Sequence, residues 1–338
     1  MKRRKHLTEA GAVIVLALFF ATILFSPIAA KAADPIKLNF VSFVPLANKV
    51  EFQKFKESFI DKVNERAKGE LIINVRGGPE AIPAFNLAVS VQKGVIDMAT
   101  IPTAFLEALV NGANQTCLSD YSASEERENG IYEYIRDIYA KRGFYYLGRG
   151  EATEPGYFFL YLKKPATKIE DFKGLKLGGS TSFHGFYHEL GASVTTLAIP
   201  EYHSAMERGV VDGVVTSLPV GMQFGIHEVS KAIIVPGFYR STVALPVNLE
   251  KWNSMPEHLQ KILTEAITEF EKEFTLYEAE ERAAALKRIE QGGAEIVRLA
   301  PDVEKWFQGA AREGVWKDAQ KRFPGDVIPN LRKRITKP

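Results

Sequence analysis

From residue 36 onward the chain alternates between short apolar runs and stretches with apolar residues at helical spacing. Residues 36–44 read as a strand that ends in a Pro45 loop. A helix over about 48–67 is predicted from Phe52, Phe55, Phe59, Ile60 and Val63, which fall on one stripe. Lys68-Gly69-Glu70 closes it, and residues 71–75 form the next strand. The Gly77-Gly78-Pro79 turn leads to a helix near 85–92, closed by Gly94, and then to a short buried strand over 95–101. Strand and helix in alternation are the mark of a wound α/β lobe.

The same order recurs later. Strand 175–177, helix 183–190, strand 194–199, helix 201–208 and strand 210–216 are punctuated by Gly191 and Gly209. The helix-to-strand junctions match: Gln92-Lys93-Gly94-Val95-Ile96-Asp97 against Glu207-Arg208-Gly209-Val210-Val211-Asp212. Glycine suits a left-handed helix cap, and the β-branched pair begins a buried strand. Two like lobes facing a crevice make a ligand clamp, because ligands lie outside the strand ends of such sheets. The aromatic run Tyr157-Phe158-Phe159-Leu160-Tyr161-Leu162 is expected to cross between lobes, and residues 243–248 to cross back. A helix over 256–291 keeps no strict heptad, so it is read as one long brace along both lobes. Residues 306–337 are expected to form shorter helices on the second lobe.

The N-terminus bears on compartment and charge. Lys2, Arg3, Arg4 and Lys5 precede an apolar stretch of about 16 residues, then Pro27 and Ala30-Lys31-Ala32. This is the pattern of a cleaved signal peptide, with the mature chain starting at Ala33. A spanning helix wants about 20 apolar residues. Removing residues 1–32 takes away five basic residues and one acidic residue (Glu9), turning a formal net charge of +2 into −2. The positive charge is therefore no argument for nucleic acid. Cys117, the single cysteine, excludes an intrachain disulfide and is expected as a free buried thiol. The remaining length suits two domains, and the 46% hydrophobic content is that of a globular protein.

Several segments together resemble the solute receptors of tripartite ATP-independent periplasmic (TRAP) transporters, in the DctP-like group. They are Gly94-Val95-Ile96-Asp97-Met98; Lys164-Pro165 leading to Asp171-Phe172-Lys173-Gly174-Leu175-Lys176-Leu177; Leu190-Gly191-Ala192; Arg208-Gly209-Val210-Val211-Asp212-Gly213; and Asn248-Leu249-Glu250-Lys251-Trp252 with Met255-Pro256. The resemblance implies a two-lobed, periplasmic-binding-protein-like α/β fold with crossing hinge strands and a long helix spanning both lobes. Lobe 1 would hold residues 33–155 and 244–282, and lobe 2 residues 156–243 and 283–338. It implies a periplasmic receptor, expected to be a monomer, that closes on a small molecule and hands it to a membrane permease. No nucleic acid, cofactor, metal or catalytic residue is expected.

One departure alters the ligand reading. The family's Gly-Leu-Lys strand usually continues with an arginine that clamps a ligand carboxylate through two parallel hydrogen bonds. Here Gly178 stands in its place. A second family contact falls near Tyr157, and the family's asparagine after Val-Asp-Gly is replaced at Thr216. A bidentate arginine is hard to substitute. The expected ligand is therefore an organic acid with an apolar or aromatic body, and a simple C4-dicarboxylate should bind poorly.

The aromatic candidates for the cleft are Phe43, Phe85, Phe105, Tyr157, Phe159, Phe183, Phe238 and Tyr239, with Thr103 beside the first lobe's last strand. Ser180 and Thr181 precede a helix start at Phe183 that would receive an anion or a hydroxyl; ordinary capping by Ser182 is the alternative. Arg149 is a candidate for the missing positive charge, or for a surface pair with Glu151 or Glu154. Glu80 either approaches the ligand or is an exposed turn residue. His184 and His188, four apart on a helix, would face one metal together with His203 or Glu189, but no His-Glu-x-x-His pattern supports this. No Gly-x-Ser-x-Gly elbow or phosphate loop is present, so a secreted hydrolase ranks below binding. A receptor for an ABC transporter or for a sensor, with a neutral ligand, is the remaining alternative.

Overall fold

A computed structural model describes residues 34–48, 52–151, 156–240, 242–291 and 294–337. The expected signal segment lies outside them, as do the chain links 152–155 and 241. Among the described residues no helix is long and apolar enough to cross a membrane.

Two six-stranded sheets organise the chain. The first contains β1 (Ile36–Val41), β2 (Leu71–Gly77), β3 (Met98–Ala99), β4 (Ile101–Pro102), β5 (Phe144–Glu151) and β11 (Thr242–Asn248). Its order is β2-β1-β3-β11-β4, with β5 also paired to β11. The second contains β6 (Phe158–Leu162), β7 (Lys176–Gly179), β8 (Ser193–Thr196), β9 (Gly213–Ser217), β10 (Ala232–Phe238) and β12 (Glu295–Arg298), in the order β12-β10-β6-β9-β7-β8. Each sheet has a parallel trio, β2-β1-β3 and β8-β7-β9, flanked by an antiparallel strand, β11 and β6 respectively.

The repeated Gly-Val-[Ile/Val]-Asp junction does the same work in both lobes. In the first it follows α2 (Leu87–Gln92), after α1 (Asp61–Arg66), whose preceding turns Lys56–Ile60 are π-helical. In the second it follows α7 (Tyr202–Glu207). Gly94 and Gly209 take φ +69° and +74°, the left-handed cap. Asp97 N donates to Asn39 O, and Asn39 N donates to Asp97 Oδ2 at 2.7 Å. Asp212 N likewise donates to Lys176 O, and Lys176 N to Asp212 Oδ2 at 2.8 Å. Each aspartate thus ties its strand to the central strand of its trio at the point where pairing begins.

The first lobe also holds α3 (Thr103–Leu106), α4 (Ala123–Glu128) and α5 (Ile131–Ala140), and the second α6 (His184–Glu189) and α8 (Leu218–Gln223). The two segments expected to cross each lie within a single sheet. β6 is an interior strand of the second sheet and β11 an interior strand of the first. The chain passes between lobes from β5 to β6 and from β10 to β11. Two helices cross as well. In α9 (Glu257–Gln291), Leu259, Leu263, Ala266, Ile267, Phe270 and Phe274 pack in the first lobe, and Ala285 and Ile289 in the second.

Contrary to expectation, residues 283–338 do not all belong to the second lobe but divide between the two. α10 (Pro301–Arg322) begins there, with Val303, Phe307 and Ala311 in the second core, but its Val315, Trp316 and Ala319 belong to the first. α11 (Val327–Ile335) packs Ile328, Leu331 and Ile335 into that same first core. The reason is geometric: 22 helical residues span about 33 Å, long enough to bridge both lobes. Polar ties follow the crossing. Arg312 makes two hydrogen bonds to Asp120, at 2.7 and 3.2 Å, and Arg322 reaches Glu107 at 2.6 Å. Where α10 passes α6, Gly185 and Gly314 meet so closely that a Cβ on either would sit 2.2–2.4 Å from the other's backbone.

Candidate functional site

Outside the carboxyl ends of β1, β7 and β9, a cavity of about 650 Å³ opens between the lobes. Its first-lobe wall includes Phe43, Pro45, Asn48, Phe105, Asn114 and Cys117, and Gly150 and Phe274 form its floor. Its second-lobe wall includes Tyr157, Phe158, Phe159, Ser180, Phe183, Tyr202, Thr216 and Tyr239. Chain direction explains the position. The segments that follow β1, β7, β8 and β9 carry wall residues, Phe43, Ser180, Ile199 and Leu218 among them.

An aromatic cluster lines the second-lobe side. Phe183 stacks on Tyr239 with ring centroids 6.2 Å apart and planes within 9°, and it takes the edge of Phe158 at 5.2 Å. Tyr157 meets Phe158 edge-on at 5.1 Å. Burial pushes the Tyr239 hydroxyl well above its usual ionisation range, so it stays a neutral donor, bonded to Ala311 O at 2.8 Å. Burial raises Tyr202 as well, opposed by a hydrogen bond from the Ser180 backbone.

Of the residues singled out from sequence, Tyr157, Phe159, Ser180, Phe183 and Thr216 lie on the cavity wall. Phe43, Phe105 and Tyr239 join them. Others stand elsewhere. Phe238 is fully buried among Phe183, Phe186 and Phe307. Thr103 is buried at the start of α3, while its neighbours Pro102, Ala104 and Phe105 face the cavity. Thr181 is exposed beside the cavity but not on its wall. Phe85 is 74% exposed and leans on Phe105 at 4.3 Å. Glu80 is an exposed turn residue whose Oε1 accepts the Gly78 N–H at 2.6 Å; that bond holds its carboxyl below the usual range.

Ser180 is the cap of the helix start, in place of Ser182: its Oγ accepts from Ser182 N at 3.3 Å. The turn there is a three-residue 3-10 segment before the six-residue α6. Gly178 does not face the cavity. A Cβ placed on it would lie 2.6 Å from Leu197 Cδ1 and 3.1 Å from Val211 Cγ1. The space an arginine would need is filled by aliphatic side chains.

Arg149 is neither a surface residue nor a cavity residue. It is 1% exposed and ion-paired with Glu126, itself 2% exposed. The cause is a bulge in β5. Arg149 opposes Ala244 and Tyr146 opposes Pro246, so two β5 residues face the single Leu245. The bulge turns Arg149 onto the face of Tyr146, toward α4. The carbonyls at the bulge are satisfied by Tyr132, whose hydroxyl donates to Tyr146 O and Leu147 O, and by Arg127, which bonds Leu147 O at 3.2 Å. Arg127 also makes a two-bond pair with Glu271 of α9.

Asn48, Asn114, Tyr202, Gln223, Arg240, Glu281 and Arg288 are cavity residues that the sequence did not single out. Arg240 had a signal: it follows Phe238-Tyr239 immediately before the second crossing. Cys117 is in no disulfide and is buried as expected, yet it stands on the wall. Glu189 pairs with Lys317 at 2.8 Å, and among the described residues no His, Cys, Asp and Glu cluster could hold a metal.

The profile of the bacterial extracellular solute-binding proteins, family 7 (DctP), matches residues 41–322. The chain belongs to that family. A solute-binding protein from Albidiferax ferrireducens is 25% identical over 275 residues, covering 77% of this chain and 79% of that one. A monocarboxylate 2-oxoacid-binding periplasmic protein from Nostoc is 24% identical over 303 residues, 82% and 80% of the two chains. In structure, a TRAP periplasmic solute-binding protein from Desulfovibrio salexigens, solved with orotic acid, superposes with a TM-score of 0.73 at 19% identity. That match covers 88% of this chain and 98% of the other. The two-lobed fold of this family 7 protein is therefore that of TRAP solute receptors.

Proposed function

We propose that this family 7 protein is the periplasmic receptor of a TRAP-type transporter. It takes an organic acid with an apolar or aromatic body into the cleft and presents it to a membrane permease. The observation that carries this reading is the cavity itself: about 650 Å³, between two lobes, walled by aromatic rings with a few polar groups among them. Such a wall stabilises an apolar ligand body by about 25 cal/mol for each Å² removed from water. Gly178, with Leu197 packed against it, removes the usual carboxylate clamp and argues against a ligand bearing two charges, since each buried carboxylate needs its own partner. The Nostoc relative's monocarboxylate and the orotic acid of the Desulfovibrio protein are of the proposed class.

A thermal-shift screen of aromatic acids, 2-oxoacids, C4-dicarboxylates, sugars and polyols on the protein from Ala33 onward tests it. The expected stabilisers are aromatic or apolar monocarboxylates. Stabilisation by succinate or malate at micromolar concentration, or by sugars alone, contradicts it. Turnover of any stabilising compound would favour the hydrolase reading.

A further inference from the structure

We propose that Arg240 anchors the ligand carboxylate, held in place by a strained corner at Tyr239; this rests on the organic-acid reading above. Among the described residues the charged side chains on the cavity wall are Arg240, Glu281 and Arg288. Glu281 and Arg288 project from α9, and Arg288 is exposed. A cation in water contributes little to a single ion pair. Arg240 is half-buried, next in sequence to the aromatic cluster, where a charge–charge contact is less screened.

The route of the chain explains how Arg240 reaches the cavity. β10 ends at Phe238, whose ring points into the second core. In a continuing strand Tyr239 and Arg240 would point to opposite faces. Instead Tyr239 takes φ +52°, a left-handed conformation that large L side chains rarely adopt. Tyr239 and Arg240 both end on the cavity wall. Three contacts maintain the corner. Tyr157 N donates to Tyr239 O at 2.9 Å, the Tyr239 hydroxyl donates to Ala311 O, and its ring stacks on Phe183. Arg240 Nη1 in turn donates to Tyr121 O in the first lobe at 3.2 Å, which ties its head to the far side of the crossing. A guanidinium is the side chain whose planar geometry matches a carboxylate. The cation thus enters from the lobe crossing, on a different element from the strand that carries Gly178.

Calorimetric titration of the wild type, Arg240→Gln and Arg240→Lys tests this. The probes are benzoate, phenylpyruvate, pyroglutamate and orotate, each beside its neutral amide; near-ultraviolet circular dichroism checks that the variants fold. The wild type should prefer at least one acid to its amide by tenfold or more. Arg240→Gln should weaken that acid by about 30-fold or more, the usual loss when one partner of a buried charge pair is removed, and change the amide by less than threefold. Arg240→Lys, which keeps the charge without the fork, should fall between. An acid preference kept within threefold by folded Arg240→Gln overturns the role of Arg240 and leaves the organic-acid reading standing. A wild type that binds none of the acids, or binds amides equally well, overturns that reading, and the assignment of Arg240 falls with it.

Discussion

Arg149 is a structural residue in this account, and replacing it should cost stability while leaving the cleft intact. The Arg149 and Glu126 side chains are 1% and 3% exposed, so the pair is fully withdrawn from water. Arg149→Ala leaves the Glu126 carboxylate buried without its cation. Breaking such a pair from one side costs about 3–5 kcal/mol. Two features of the site favour the upper part of that range. Tyr139 and Tyr146 pack beside the pair with hydroxyls held neutral by burial, so they bring no charge of their own. The neighbouring carboxylate, Glu271, is already engaged by Arg127 and accepts the Arg149 N–H at 3.1 Å. Replacing both partners with apolar residues of similar size, as in Arg149→Met with Glu126→Leu, should restore most of the loss. Urea unfolding followed by tryptophan fluorescence measures it: the midpoint should fall with an unchanged slope for Arg149→Ala and recover in the double variant. Calorimetry on the folded single variant should show ligand affinity within a few-fold of wild type. A wild-type midpoint together with lost binding would refute the reasoning and return Arg149 to the cleft.

Gly178→Arg, which writes the family's clamp into the sequence, should not create a dicarboxylate receptor. It should lower stability by about 1–3 kcal/mol through overpacking against Leu197, and succinate titration of the variant should stay flat. Gly314→Val should wedge α10 away from Gly185 and lower the thermal midpoint by several degrees, whereas substitution at Gly309, which has nothing within 4 Å of a built Cβ, should not. Glu125 accepts the Ser122 backbone N–H and pairs with Lys337, which hold its carboxyl down to about 2. Its folded value lies below the unfolded value near 4.3, so its contribution is full above that value and lost as pH falls through about 2. A carboxylate titration by NMR that places Glu125 near 4 would contradict the capping and pairing described.

Much of the fold was legible because its signals are local. The Gly94 and Gly209 caps and the Asp97 and Asp212 strand ties use residues within one short segment plus the neighbouring strand, so a repeated tetrapeptide marked equivalent points in both lobes. The tail was misassigned because α10 changes lobes in mid-helix: Phe307 and Trp316 look alike in sequence but enter different cores. Within the cleft, Ser180, Phe183 and Thr216 lie on the wall because they follow or end parallel strands that run toward it. Arg149 was misjudged because a bulge in β5 reversed its face, and bulges leave no regular period to read. Phe238 was misjudged and Arg240 was missed for one shared reason. The left-handed Tyr239 breaks the alternation that would have put Phe238 and Arg240 on the same face, sending one to the core and the other to the cavity.

The central claim is that the two lobes form a clamp around a ligand. Chain links and two long helices join them, so binding should close the cleft by bending at the crossings. Small-angle scattering of the protein from Ala33 onward tests this most directly, alone and saturated with the strongest acid from the thermal-shift screen, with saturation verified by calorimetry. The account predicts a smaller radius of gyration in the bound sample. An unchanged radius at verified saturation would contradict it.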